Sequence, residues 1–150
     1  MPEKRTLERA RQAEKEGKAP STQAGEFVRE EIEHIRQGKH GARSAKQAIA
    51  IGLSKARRAG VKLRPPKKGT VSDETRHKAE REYERAQSAK QPMPSRKRAR
   101  ATLRALKRES QATVSKTSLA RQTRSAARRR SHEDKSLAAR KAARTRAKNG

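Results

Sequence analysis

The sequence predicts an all-α chain: a small helical hairpin followed by isolated charged helices and a largely disordered basic tail. Three observations carry this reading. Ala, Arg, Lys, Glu and Gln dominate the chain, and these residues have high helix propensity. Apolar residues recur at helical spacing in only one stretch, Ser21–Gly60. Charged residues make up 39% of the chain and hydrophobic ones 29%, with one Phe, one Tyr and no Trp. A chain with so much charge and so little to bury cannot offset its conformational entropy over its whole length.

Residues 3–16, EKRTLERARQAEKE, predict a short charged helix that ends at Gly17. Leu7 is its only large apolar residue, so weak docking on the hairpin is expected. In the first hairpin helix, Val28, Ile32 and Ile35 sit at i, i+4 and i+7, with Phe27 beside them; Ser21 or Thr22 is placed to cap its start and Gly38 follows its end. A second helix opens at Ser44 with Gln47 three residues on, the spacing of a capping box. It carries Ala45, Ala48, Ile49, Gly52, Leu53 and Ala56 and stops at Gly60. The short glycine-bounded linker 38–43 makes the two helices antiparallel neighbours, with Ile32 and Leu53 each expected to bury against the other's helix. The hairpin domain with its N-terminal helix spans 1–63, and a basic linker, 64–71, follows, where Pro65 and Pro66 forbid helix. Residues 72–91 predict a capped, solvated helix with alternating charges and Tyr83 as its one anchor, closed by Gln91-Pro92-Met93-Pro94. Within the tail, 92–150, residues 95–109 predict one more capped helix with a thin Leu103/Leu106 stripe. Residues 110–150 lack any apolar period and read as disordered.

The run KAPSTQAGEFVREEIEHIRQGKHGARSAKQAIAIGLSKARRAGVKL resembles an uncharacterised family of small basic bacterial proteins, some of whose members are labelled plasmid stabilization proteins. The likeness covers about residues 2–66, and GKHGARS and QAIAIGLSKARRAG are its most specific segments. The resemblance brings no established activity; it implies a bacterial, intracellular protein. The Ala/Arg/Lys-rich tail is similar in composition to linker-histone-like proteins.

Net charge is +26, and it is segregated. Residues 1–36 and 71–91 are neutral, residues 37–70 hold ten bases and no acid, and residues 92–150 hold nineteen bases against three acids. Such a chain seeks a polyanion, and nucleic acid is the commonest in a cytoplasm. The expected phosphate-contacting residues in the first basic block are Lys39, Arg43, Lys46, Lys55, Arg57, Arg58, Lys62, Arg64, Lys67 and Lys68. In the tail they are Arg96, Lys97, Arg98, Arg100, Arg104, Lys107 and Arg108, then Arg128, Arg129 and Arg130, then Arg140, Lys141, Arg144 and Arg146. With almost no aromatic residues on which to stack single-stranded bases, the chain favours DNA over RNA and phosphate neutralisation over sequence reading. Structured RNA, as in basic ribosomal proteins, is the alternative. A third reading makes the hairpin a protein-binding module that the tail tethers to nucleic acid. A helix-turn-helix would need a third supporting helix and polar readers on the second, and Ala48–Leu53 offers none.

No catalytic residue, cofactor or metal site is expected. There is no cysteine, no Gly-rich phosphate loop and no HExxH. Glu30 and His34, four apart, would share one face of a metal site, but no second ligand pair is in sight. The longest uncharged run, Gln47–Ser54, is eight residues, far short of a membrane span, and the N-terminus has no apolar segment of a signal peptide. A cytoplasmic, nucleoid location follows; the oligomeric state is left open.

Overall fold

The computed structural model describes residues 1–88, 93 and 95–150. Among them lie seven α-helices, one short 3-10 turn and no strand. In chain order these are α1 (Lys4–Lys15), α2 (Pro20–Arg36), α3 (Ala45–Arg58), α4 (Asp73–Gln87), α5 (Arg96–Lys107), the 3-10 turn Ala112–Val114, α6 (Lys116–Arg129) and α7 (His132–Asn149).

Small residues decide how the hairpin packs. Proline starts α2 at its first position, where the fixed φ suits a helix and no amide is missed, so Ser21 and Thr22 lie inside the helix and do not cap it. Gly38, at φ 75°, takes the left-handed turn after α2. Ser44 caps α3 by accepting from the Gln47 amide at 3.1 Å, and the Gln47 side chain reaches back to the Arg43 amide at 2.6 Å. Ala45, Ala48, Gly52 and Ala56 then form the buried stripe of α3. At Gly52 the helices come so close that a Cβ there would sit 2.5 Å from the Val28 Cα.

The apolar interior is split into two clusters. Ala10, Ala24, Phe27, Ala56 and Val61 form one, with Leu7, Leu53 and Leu63 packed against it. Ile35, Ala42, Ala48 and Val114 form the other, with Ile32 against it. Ile32 and Leu53 each pack on the opposite hairpin helix, Ile32 in the cluster that holds Ala48 of α3 and Leu53 in the one that holds Ala24 and Phe27 of α2, and each is half-buried. Helix α1 docks more firmly than one leucine implied, because Thr6, Ala10 and Ala13 are buried and alanines let it lie close to α2. Residues 61–67 run without helix, as the prolines require, and Val61 and Leu63 tuck under the hairpin.

Helix α4 is not a solvated single helix. Ala79 is buried against α3, and Ser54 Oγ donates a short hydrogen bond to Glu82 Oε1. Ser72 caps it, and Arg76–Glu80 and Lys78–Glu74 pair along it at 2.8 and 2.6 Å. It ends by Gln87; Gln91, Pro92 and Pro94, where the sequence marks a boundary, lie outside the described residues.

The tail departs furthest from expectation. It is helical through Asn149 and not disordered. Ala, Arg and Lys supply intrinsic propensity, and serines supply starts: Ser115 accepts from the Ser118 amide and Ser131 from the Asp134 amide. Ser95 makes no such bond. Nor are these helices all isolated. After α5 the chain returns to the hairpin linker, where the Gly41 amide donates to the Leu106 carbonyl at 2.9 Å and the Ala42 amide to the Ser110 carbonyl at 3.0 Å. Thr113 Oγ1 donates to the Ala42 carbonyl at 3.1 Å, Arg36 Nη2 to the Val114 carbonyl at 3.2 Å, and Val114 is 1% exposed. Gly41 is required here: a Cβ would lie 2.0 Å from the Glu109 carbonyl oxygen. Helices α5, α6 and α7 bury no residue fully.

Candidate functional site

The fold sorts the ten cations of residues 37–70 into two groups. Four are drawn into ion pairs. Lys55 Nζ lies 2.6 Å from Glu31 Oε2, and Arg57, itself buried, donates to the Leu63 carbonyl at 3.2 Å and faces Glu82 at 4.0 Å. Lys39 sits 3.5 Å from Glu3, and Lys67 sits 3.1 Å from Asp134. Lys55 and Arg57 thus tie the hairpin together and to α4. Burial pulls the Arg57 guanidinium below its usual pKa, against the opposing effect of Glu82. The other six, Arg43, Lys46, Arg58, Lys62, Arg64 and Lys68, are exposed, and among the described residues none is within 4.0 Å of a carboxylate.

Two of these six are joined by cations that the sequence reading passed over. Arg43, Ser44 and Lys46, at the start of α3, face Ser118, Arg121, Gln122 and Ser125 of α6 across a groove of about 410 Å³. Beside it an open trough of about 690 Å³ runs along α6, lined by Lys116, Arg121, Arg124, Ser125, Arg128 and Arg129. Arg121, Arg124 and Arg128 stand at i, i+3 and i+7, so helical spacing was the available signal. The positive end of the α3 dipole opens into the same groove. Of the remaining tail residues, Arg96, Lys97, Arg98, Arg100, Arg104, Lys107, Arg108, Arg130, Arg140, Lys141, Arg144 and Arg146 are all exposed.

A second polar feature lies under the hairpin linker. Glu31 of α2 is 1% exposed, and its Oε1 is 3.0 Å from His40 Nε2 while its Oε2 receives Lys55. The His40 ring donates from Nδ1 to the Gly41 carbonyl at 2.9 Å. Next to it His34 Nε2 lies 2.9 Å from Glu3 Oε1 and 4.0 Å from Glu30 Oε1. The Glu3 carboxyl is held below the usual carboxylate range, first by its hydrogen bond with His34 and further by Lys39. Glu30 is 4% exposed; its Oε2 accepts from the Glu3 amide at 3.2 Å, and its Oε1 is buried without a hydrogen-bond partner. Potential ligand atoms of Glu31, His34 and His40 lie within 4.8 Å of one another. The sequence pointed to Glu30 and His34 and missed Glu31 and His40, because it is the fold of the Gly38–Arg43 linker that carries His40 back over α2.

Among the described residues, no helix is long and apolar enough to cross a membrane. Residues 3–68 match the model of a family described as a family of unknown function, DUF6496. The matched span holds α1, α2, α3 and the whole Glu–His cluster, and it stops short of α4 and of every tail helix. No curated protein and no solved structure matches the chain.

Proposed function

We propose that the protein binds double-stranded DNA without regard to sequence, by neutralising phosphates, in a nucleoid-associated or plasmid-maintenance role. One observation carries the reading. Residues 92–150 hold nineteen Lys and Arg, and among the described residues none of them has a carboxylate oxygen within 4.0 Å. Cations left unpaired on solvated helices repel one another, and a phosphate backbone relieves that repulsion by exchanging its counterions for them. The Arg43/Lys46/Arg121 groove offers a place where the hairpin and the tail hold the same backbone, with the Ser118 and Ser125 hydroxyls as further phosphate contacts. Base reading has little to work with, since Asn, Gln and aromatic residues are scarce on the basic helices.

The test is fluorescence anisotropy on labelled duplexes across a salt series. The logarithm of the binding constant falls steeply with the logarithm of salt concentration. Replacing Arg140, Lys141, Arg144 and Arg146 together by Gln reduces that slope by about 3 to 4 units, at about 0.9 per phosphate contact. Scrambled duplexes compete equally. A slope that ignores the four substitutions, or strong preference for one sequence, overturns the reading; better competition by duplex RNA of equal length moves it to structured RNA.

A further inference from the structure

Phosphate binding makes no use of the cluster beneath the hairpin linker. We propose that Glu31, His34 and His40 hold a divalent ion of the zinc class. The site joins two residues of α2 to one from the linker, and it is independent of the basic surface.

The orientation of His40 is the first reason. Its Nδ1–H is committed to the Gly41 carbonyl at 2.9 Å, so in the neutral ring the lone pair sits on Nε2. That nitrogen faces Glu31 Oε1 at 3.0 Å. Two acceptors at that distance repel unless a proton or a cation lies between them. A backbone carbonyl on the far ring nitrogen is also the outer support that metal-binding histidines commonly have. Glu31 is prepared in the same way: Lys55 holds Oε2 at 2.6 Å and leaves Oε1 to the site.

The spacing is the second reason. Zinc bonds of about 2.0–2.2 Å to nitrogen and oxygen put neighbouring ligands about 3.0–3.5 Å apart. The His40–Glu31 pair already has that separation, and the third ligand atom lies within 4.8 Å, so closure takes a side-chain adjustment of roughly 1 Å. Coordination through His34 Nε2 replaces its 2.9 Å contact with Glu3 Oε1, and Glu3, which is half-exposed, swings clear at the mouth.

Glu30 supplies an independent observation. Its Oε1 is buried, has no hydrogen-bond partner and lies 4.0 Å from His34 Nε2. An orphaned carboxylate oxygen costs free energy in an interior, and a cation beside His34 would satisfy it. Two imidazoles with a carboxylate select zinc-like ions over magnesium or calcium, which prefer oxygen alone.

The experiment uses the full-length chain, treated with nuclease and stripped with a chelator. Zn²⁺ is titrated against a chromophoric competitor, and Co²⁺ serves as a spectroscopic probe. One ion binds per chain, and Co²⁺ gives the visible absorption of a low-coordinate nitrogen/oxygen site. His34→Gln weakens Zn²⁺ by at least about 100-fold, as losing a ligand outweighs the 10–100-fold typical of outer supports. His34 lies at the edge of the cluster and its variant keeps the metal-free circular dichroism. Glu31→Gln gives the same loss, while His77→Gln and His132→Gln, elsewhere on the chain, change nothing. Absence of stoichiometric Zn²⁺ binding overturns the proposal and leaves a proton between His40 and Glu31. So does binding that survives His34→Gln or that His77→Gln abolishes, since the ion then sits on surface histidines.

Discussion

Single residues set the closest approaches in this molecule. Gly52 touches the α2 backbone, and a Cβ there would sit 2.5 Å from Val28 Cα, which no rotamer change relieves. Gly52→Ala is expected to destabilise the chain by about 1–3 kcal/mol, read by urea denaturation, despite the better helix propensity of alanine. Gly25 lies in α2 with open space where a Cβ would stand, so Gly25→Ala is the control and stabilises by up to about 1 kcal/mol. Local chemistry at this scale was readable in the sequence: Ser44 and Gln47 cap α3 because their partners are three and four residues away. The close approach at Gly52 was not, since a glycine in a helix looks the same whether it faces a partner or water. Glu31 with His40 was hidden for a related reason, as the pairing depends on how six linker residues turn.

Elements show where composition misleads. The two hairpin helices could be read from apolar period and glycine stops, α1 from its charged composition and Gly17, and all three stand close to where those signals put them. The tail was read by its charge, and charge says nothing against a helix that need not pack. One valine among polar residues gives no period, so the docking of Val114 on Ile35, Ala42 and Ala48 could not be foreseen. Gly41→Ala isolates that docking. The added Cβ meets backbone at Glu109 and Ser110, so the 106–114 segment is pushed off while the hairpin survives. Amide exchange then accelerates at Gly41 and Ala42, which donate to Leu106 and Ser110, and stays slow within α2 and α3. Helix α7 carries a pH dependence. Hydrogen bonds from Lys67 and Ser131 hold the Asp134 carboxyl below the usual aspartate range. Its stabilising effect is present above the unfolded value and is lost as pH falls through the lower, folded one. Helicity read by circular dichroism therefore drops between about pH 5 and about pH 2, and Asp134→Asn shows a smaller drop over that window.

At the scale of the whole molecule the chain separates what folds from what carries charge. Among the described residues, α7 packs on no other helix and buries nothing, yet it holds six cations. Removing residues 132–150 is expected to leave stability within about 0.5 kcal/mol by thermal melting. The same truncation lowers the salt slope for duplex DNA by about 5 units. The blocks of charge that underlie this were legible at once, because net charge needs no fold to be counted. Which cations remain free was not: Lys55 and Arg57 looked like their neighbours until the fold gave them Glu31 and Glu82.

The return of the chain to the hairpin linker also has a mechanical meaning. Val61, Leu63 and α4 lie in chain order between α3 and the point where Leu106 meets Gly41. Behind the exposed Lys67–Asp134 ion pair, traction on the C-terminal end is taken up at Val114, wedged between Ile35, Ala42 and Ala48, and at the Arg36 bond to its carbonyl. The two amide bonds from Gly41 and Ala42 share the load behind it. Once the exposed Lys67–Asp134 pair has parted, α4 and its contacts with α3 stay slack while this anchor holds, much as a clamp on a cable keeps tension from the terminals.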